Sequence, residues 1–111
     1  MAKPDTYNRI SIPKAFRKQL KGGLKLWEDT NNSLRLASIE EFEKVARNIH
    51  NHIPERYEDF MKNAVTVDLD TKHRLLIPPK FHITLGINKE KEVIISFIDY
   101  GSYIKLENSG K

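Results

Sequence analysis

Two short segments hold the residues best able to do chemistry. Asp5-Thr6-Tyr7-Asn8-Arg9 and Asp70-Thr71-Lys72-His73-Arg74 each place a carboxylate four residues before a guanidinium. An Asp can open a tight turn by accepting bonds from backbone N–H groups just ahead of it. The fourth position of such a turn often needs a positive φ, where Asn and His are among the better residues after glycine. Asp5, Asn8, Asp70 and His73 are therefore expected to shape the turns. An arginine leaving a rigid turn can grip a phosphate or a guanine edge with two parallel bonds. Arg9 and Arg74 are the expected contact residues, with Lys72 adding a point charge. The same spacing has a plainer use, because an Asp and an Arg this close often simply pair on a surface. One copy alone would favour that use; two equivalent copies favour binding.

A second basic cluster follows the first segment: Lys14, Arg17, Lys18 and Lys21. Its ordinary role is a solvated helix face, and Lys14 and Arg17 are further candidate contacts. Nothing comparable points to catalysis. His50 and His52, two apart on an expected helix, point about 200° apart and do not suit a shared metal. His73 and His82 have no carboxylate pair or Cys nearby in sequence, and Ser11 lacks nucleophile-elbow glycines. No catalytic, cofactor-binding or metal-ligating residue, and no small-molecule substrate, is expected.

The elements that must hold these segments are repeated. Shifting the chain by sixty-five residues lays Asp5 to Leu20 on Asp70 to Leu85, with seven identities in sixteen positions. Among them are Ile12/Ile77, Pro13/Pro78, Phe16/Phe81 and Leu20/Leu85. Leu34-Arg35-Leu36 lies on Ile104-Lys105-Leu106 after a gap. Two copies imply an internal pseudo-twofold rather than a solenoid. In each copy an alternating strand runs to a proline that cannot continue the ladder. A short helix follows over Lys14 to Leu20, closed by Gly22-Gly23, with Gly86 closing its counterpart. A hairpin comes next. In copy one it is Leu24 to Trp27, a turn at Asp29-Thr30-Asn31-Asn32, and Leu34 to Ala37. In copy two it is Val93 to Ile98, a turn at Asp99-Tyr100-Gly101, and Tyr103 to Leu106. Val65, Val67 and Leu69 mark a strand leading into the second copy. Between the copies, Ser38-x-x-Glu41 is a capping box. Ile39, Phe42, Val45, Ala46 and Ile49 follow at helical spacing. Pro54 opens a second helix to about Met61.

The chain has 111 residues, 39% hydrophobic and 31% charged, a net charge of +4 and no cysteine. That composition is globular rather than disordered. It excludes disulfides and thiolate chemistry, and its mild positive charge leans towards a polyanionic partner. No signal-like apolar segment or membrane-length run is present, so a cytoplasmic, nucleoid-associated location without membrane partners is expected.

These motifs resemble the MraZ family of bacterial transcriptional regulators, within the AbrB-like swapped-hairpin group. Its hallmark is Asp-x-Lys-Gly-Arg followed by a short strand and Ile-Pro, twice per chain. The stretch from Asp70 to Pro79 matches except for His73 in the glycine place. The stretch from Asp5 to Pro13 keeps the Asp, the Arg and Ile-Pro, with Tyr7 for the Lys and Asn8 for the Gly. Ala64 to Asp70, Leu85-Gly86-Ile87 and Lys91-Glu92-Val93-Ile94-Ile95 resemble the flanking stretches. The resemblance implies an α+β, mainly β, fold. Two pseudo-repeated swapped-hairpin units would form a small β-barrel-like core with helices between them. It divides one domain, residues 1–111, into a first repeat at about 5–37, connecting helices at about 38–63 and a second repeat at about 64–107. It implies a ring-shaped homo-oligomer that binds repeated boxes in promoter double-stranded DNA, and no catalysis. The family also has a strand before its first motif and a helix after its last hairpin. Only Met1 to Pro4 precede Asp5 here and the chain stops at Lys111, so a sheet edge left unpaired, or paired by a neighbour, is expected where the first strand would lie. Two other readings remain: an oligomeric interaction module that has lost DNA binding, and an antitoxin-like member of the group. The second would need a long disordered tail, and Glu107 to Lys111 is short.

Overall fold

A computed structural model describes residues 2–29, 32–88, 90 and 92–109. Thr30 and Asn31 of the expected first hairpin turn, and Lys91 of the flanking stretch, lie outside them. The strands are β1 (Arg9–Ser11), β2 (Leu24–Asp29), β3 (Ser33–Ser38), β4 (Val65–Val67), β5 (Arg74–Leu76), β6 (Ile95–Asp99) and β7 (Ile104–Asn108). The α-helices are α1 (Ile39–His52), α2 (Tyr57–Asn63) and α3 (His82–Leu85). Tight 3₁₀ turns cover Lys14–Gln19, Pro54–Arg56 and Pro79–Phe81.

The strands form a two-stranded ribbon, β1 with β5, and a five-stranded sheet in the order β4-β2-β3-β7-β6. Two of the cross-copy pairings, β1 with β5 and β3 with β7, are symmetric when the copies are exchanged. Ile10 faces Leu75 at the centre of the ribbon, and Arg35 faces Lys105 where β3 meets β7. The two expectations that fail are "mainly β" and "barrel-like". Helix and strand each take about a third of the chain, and the sheets do not close into a barrel. Pro13 and Pro78 explain part of this, because without an N–H they stop β1 and β5 after three residues each. The last donors cross instead to the opposite loop: Ile12 N–H bonds His73 O at 2.9 Å and Ile77 N–H bonds Asn8 O at 3.0 Å.

Alternation splits the sheet into two apolar faces. Leu24, Leu26, Leu34, Leu36, Ile104 and Leu106 share one buried cluster with Ile10 and Leu75 of the ribbon, so the ribbon caps that face. Trp27 and Ala37 point the other way, onto Phe42 and Ala46 of α1. There the Phe42 and Phe60 rings stack at 5.2 Å and Trp27 meets Phe42 edge-on at 5.2 Å. Trp27 is thus a core residue. Ser38 caps α1 as its spacing predicts, its hydroxyl accepting from Glu41 N–H at 3.2 Å. Gly86 ends α3 with φ of 68°, and a Cβ there would lie 2.9 Å from Asn108 Nδ2. The expected open sheet edge is partly covered by the chain itself, because Ala2 exchanges bonds of 2.8 and 2.7 Å with Ile95.

Phe81 is fully buried, whereas Ile83, two residues on, is 93% exposed. Phe81→Ala is expected to cost about 3–5 kcal/mol, and Ile83→Ser to stay within about 0.5 kcal/mol. Urea unfolding of both variants checks this.

Candidate nucleic-acid interface

The two Asp-to-Arg loops are built alike. Asp5 Oδ1 accepts from the N–H groups of Tyr7 (2.8 Å) and Arg9 (2.9 Å). Asp70 Oδ1 accepts from Lys72 and Arg74, both at 2.9 Å. The main chain closes each loop, with Asn8 N–H to Asp5 O and His73 N–H to Asp70 O at 2.9 Å. Asn8 and His73 sit at φ of 61° and 59°, the left-handed region expected of them. Gly is easiest there, but a short polar or His side chain tolerates it.

The second carboxylate oxygen takes hold of the arginine. Arg9 Nε donates to Asp5 Oδ2 at 2.8 Å, and Arg74 Nε to Asp70 Oδ2 at 2.8 Å. The expectation of arginines projecting freely from the turns therefore changes. Each lies along its own loop, because the turn returns the fifth residue beside the first. The two loops also approach each other, with Arg74 Nη1 at 3.9 Å from Asp5 Oδ2.

Both arginines nevertheless share one outward surface. In β1 and β5 the middle residue is buried and its neighbours are not. Arg9, Ser11, Arg74 and Leu76 therefore lie on the face away from the core, with Arg9 opposite Leu76 and Ser11 opposite Arg74. Lys72, two residues before Arg74, is exposed. Each guanidinium uses Nε on its Asp and has two further nitrogens carrying four N–H donors.

The second basic cluster divides. Arg17 Nε bonds Ile12 O at 3.0 Å, which ties down the end of β1. Its counterpart sixty-five residues on, His82, places Nε2 at 3.0 Å from Ile77 O. Arg17 thus has a structural task that basic spacing did not reveal, though the repeat offset to His82 could have suggested it. Lys14 is exposed and lines an open cleft of about 790 Å³ with Lys18, Lys21 and Asp70. Sequence reasoning also passed over Tyr7 and Leu76. The Tyr7 ring lies 5.0 Å from Arg9 Cζ, and Leu76 is 56% exposed on the arginine face. Strand alternation alone would have put Leu76 there. Among the described residues no three His, Asp or Glu side chains gather as a metal site. No described helix is long and apolar enough to cross a membrane.

In class this is a small α+β protein whose repeated, Asp-braced arginine loops flank one face of a two-stranded ribbon. It is 29% identical over 108 residues to the transcriptional regulator MraZ of Mycoplasmoides gallisepticum, covering 92% of this chain and 73% of that protein. It is 34% identical over 96 residues to the transcriptional regulator MraZ of Mesomycoplasma hyopneumoniae, covering 81% of this chain and 66% of that protein. No family model matches the chain. The chain belongs to the MraZ family.

The loop bonds also set the acidity of both carboxyls. The Arg9 N–H holds Asp5 below the ordinary aspartate range; partial desolvation opposes this, and the Tyr7 N–H and Arg9 guanidinium add to it. The Arg74 N–H does the same for Asp70, again against desolvation, with its guanidinium and the Lys72 N–H adding. A carboxyl whose folded pKa is depressed stabilises the fold above its unfolded value, about 3.9. That contribution is lost as pH falls through the folded value. Carboxyl-detected NMR titration is expected to show Asp5 and Asp70 ionised below that point. Ordinary midpoints for both would contradict the bracing.

Proposed function

We propose that this chain is a sequence-specific DNA-binding transcriptional regulator of the MraZ type, acting in the cytoplasm as a homo-oligomer on repeated promoter boxes. The observation that carries the reading is the shared outward face of Arg9 and Arg74, each held by an identical Asp turn, in a member of this family. Arg9, Arg74 and Lys72 would neutralise phosphates and release counterions, or read guanine in a groove. Lys14 would extend the same positive surface, and Arg17 would act mainly by fixing β1. Asp5 and Asp70 would organise the loops without touching DNA, because phosphate repels a carboxylate. An oligomer would add weak contacts through effective concentration. The symmetric pairing of β1 with β5, and of β3 with β7, supports reading the two copies as interlocked hairpins.

One observation favours a second reading, an interaction module without DNA binding. Both arginines already pair with their own aspartates, and the first loop has Tyr7 where the family's motif has Lys. Light scattering and a DNA pulldown separate the two readings. On the first, Arg74→Ala should cost about 1–3 kcal/mol per binding unit. A gel-shift titration on duplex DNA measures it, and binding that ignores salt would count against the proposal.

A further inference from the structure

The two ends of the β1/β5 ribbon share a backbone design but not a chemistry. Tyr7 and Lys72 hold equivalent places, their N–H groups donating to Asp5 and Asp70 at 2.8 and 2.9 Å. At the first end Arg9 is flanked by the Tyr7 ring and, across the ribbon, by Leu76. Tyr7 is 70% exposed and Leu76 is 56% exposed. At the second end Arg74 is flanked by Lys72 and, across the ribbon, by Ser11. Apolar side chains this exposed beside a guanidinium are left wet unless a ligand covers them. The surroundings differ in the same sense. Beside the first loop Lys3 pairs with Glu92, whereas Lys14 and Lys18 line the cleft beside the second loop.

We infer that the two ends divide the work of recognition, with the Tyr7–Leu76 end reading an apolar edge of the duplex, the thymine methyl, and the Lys72–Ser11 end contacting phosphate. This rests on the DNA-binding reading and adds a direction to it. A thymine methyl is the apolar feature of the major groove, and side chains such as Phe, Ala and Thr contact it. Tyr7 suits such a contact because its ring lies against Arg9, whose Nε is fixed by Asp5, so little freedom is lost on binding. A lysine in that place would add a phosphate contact instead. The bound site should therefore be asymmetric, with thymine required at one half only.

The test uses the full chain and a duplex that it selects from a random pool. Each half of the site is synthesised with deoxyuridine for thymidine, which removes only the methyl group. Loss of the methyls at one half should weaken wild-type binding by about fourfold per methyl, the size of one buried methyl group. Tyr7→Lys and Leu76→Ser should each blunt that sensitivity with melting midpoints unchanged. Tyr7→Lys should also steepen the log–log salt slope by about one, and Lys72→Tyr should flatten it by about one. Equal binding of the thymidine and deoxyuridine duplexes overturns the inference, as does a selected site lacking thymine. An unchanged salt slope in Tyr7→Lys overturns it too, leaving Tyr7 as a cover for the Asp5–Arg9 pair. If salt-dependent binding persists in any of these cases, the regulator reading stands without the division. If no duplex is bound at all, both fall.

Discussion

The candidate site depends on a carboxylate that does two jobs in each loop. One oxygen of Asp5 or Asp70 gathers two backbone N–H groups and so stabilises a turn whose fourth residue sits at positive φ. The other oxygen fixes Nε of the arginine that follows. Left-handed backbone at Asn8 and His73 is unfavourable in itself and persists because the bonds around it over-determine the loop. An arginine so held has lost part of its side-chain entropy before any ligand arrives, which lowers the cost of binding.

The rest of the fold supplies a rigid base for those loops. Pro13 and Pro78 cut the ribbon short, and the N–H groups of Ile12 and Ile77 reach back to His73 and Asn8. Each loop is thereby stitched to the strand that follows the other. Ile10 and Leu75 anchor the ribbon in the main core, so the arginine face is fixed relative to the five-stranded sheet. Helices α1 and α2 cover the opposite side of that sheet through Trp27, Phe42 and Phe60. They leave the arginine face clear.

Much of this was legible in the sequence, for identifiable reasons. The sixty-five-residue repeat, the proline stops, the capping box at Ser38 and the positive φ at Asn8 and His73 follow from local chemistry, which short segments carry on their own. The alternation of Leu24/Leu26 and Leu34/Leu36 put them on one face, a pattern that a core and a subunit interface share, and it is the buried cluster with Ile10 and Leu75 that makes that face core. What did not follow was set by long-range packing. Barrel closure depends on how the ribbon lies on the sheet, and no local signal in three-residue strands encodes that. The Arg17–Ile12 bond and the placing of Tyr7 against Arg9 depend on rotamers. The Asp–Arg spacing was compatible with both a surface pair and a binding loop, and the structure contains the pair on a shared face.

The most direct test of the bracing is the duplex affinity of Asp5→Asn, Asp70→Asn, measured together and apart at one salt concentration. Asparagine keeps an oxygen for the two backbone N–H groups but turns an N–H donor towards the arginine Nε–H, so the turn remains and the grip is lost. Preorganised arginines predict weaker DNA binding in these variants although each substitution removes a negative charge. Binding that tightens, as charge alone demands, or does not change would contradict the claim.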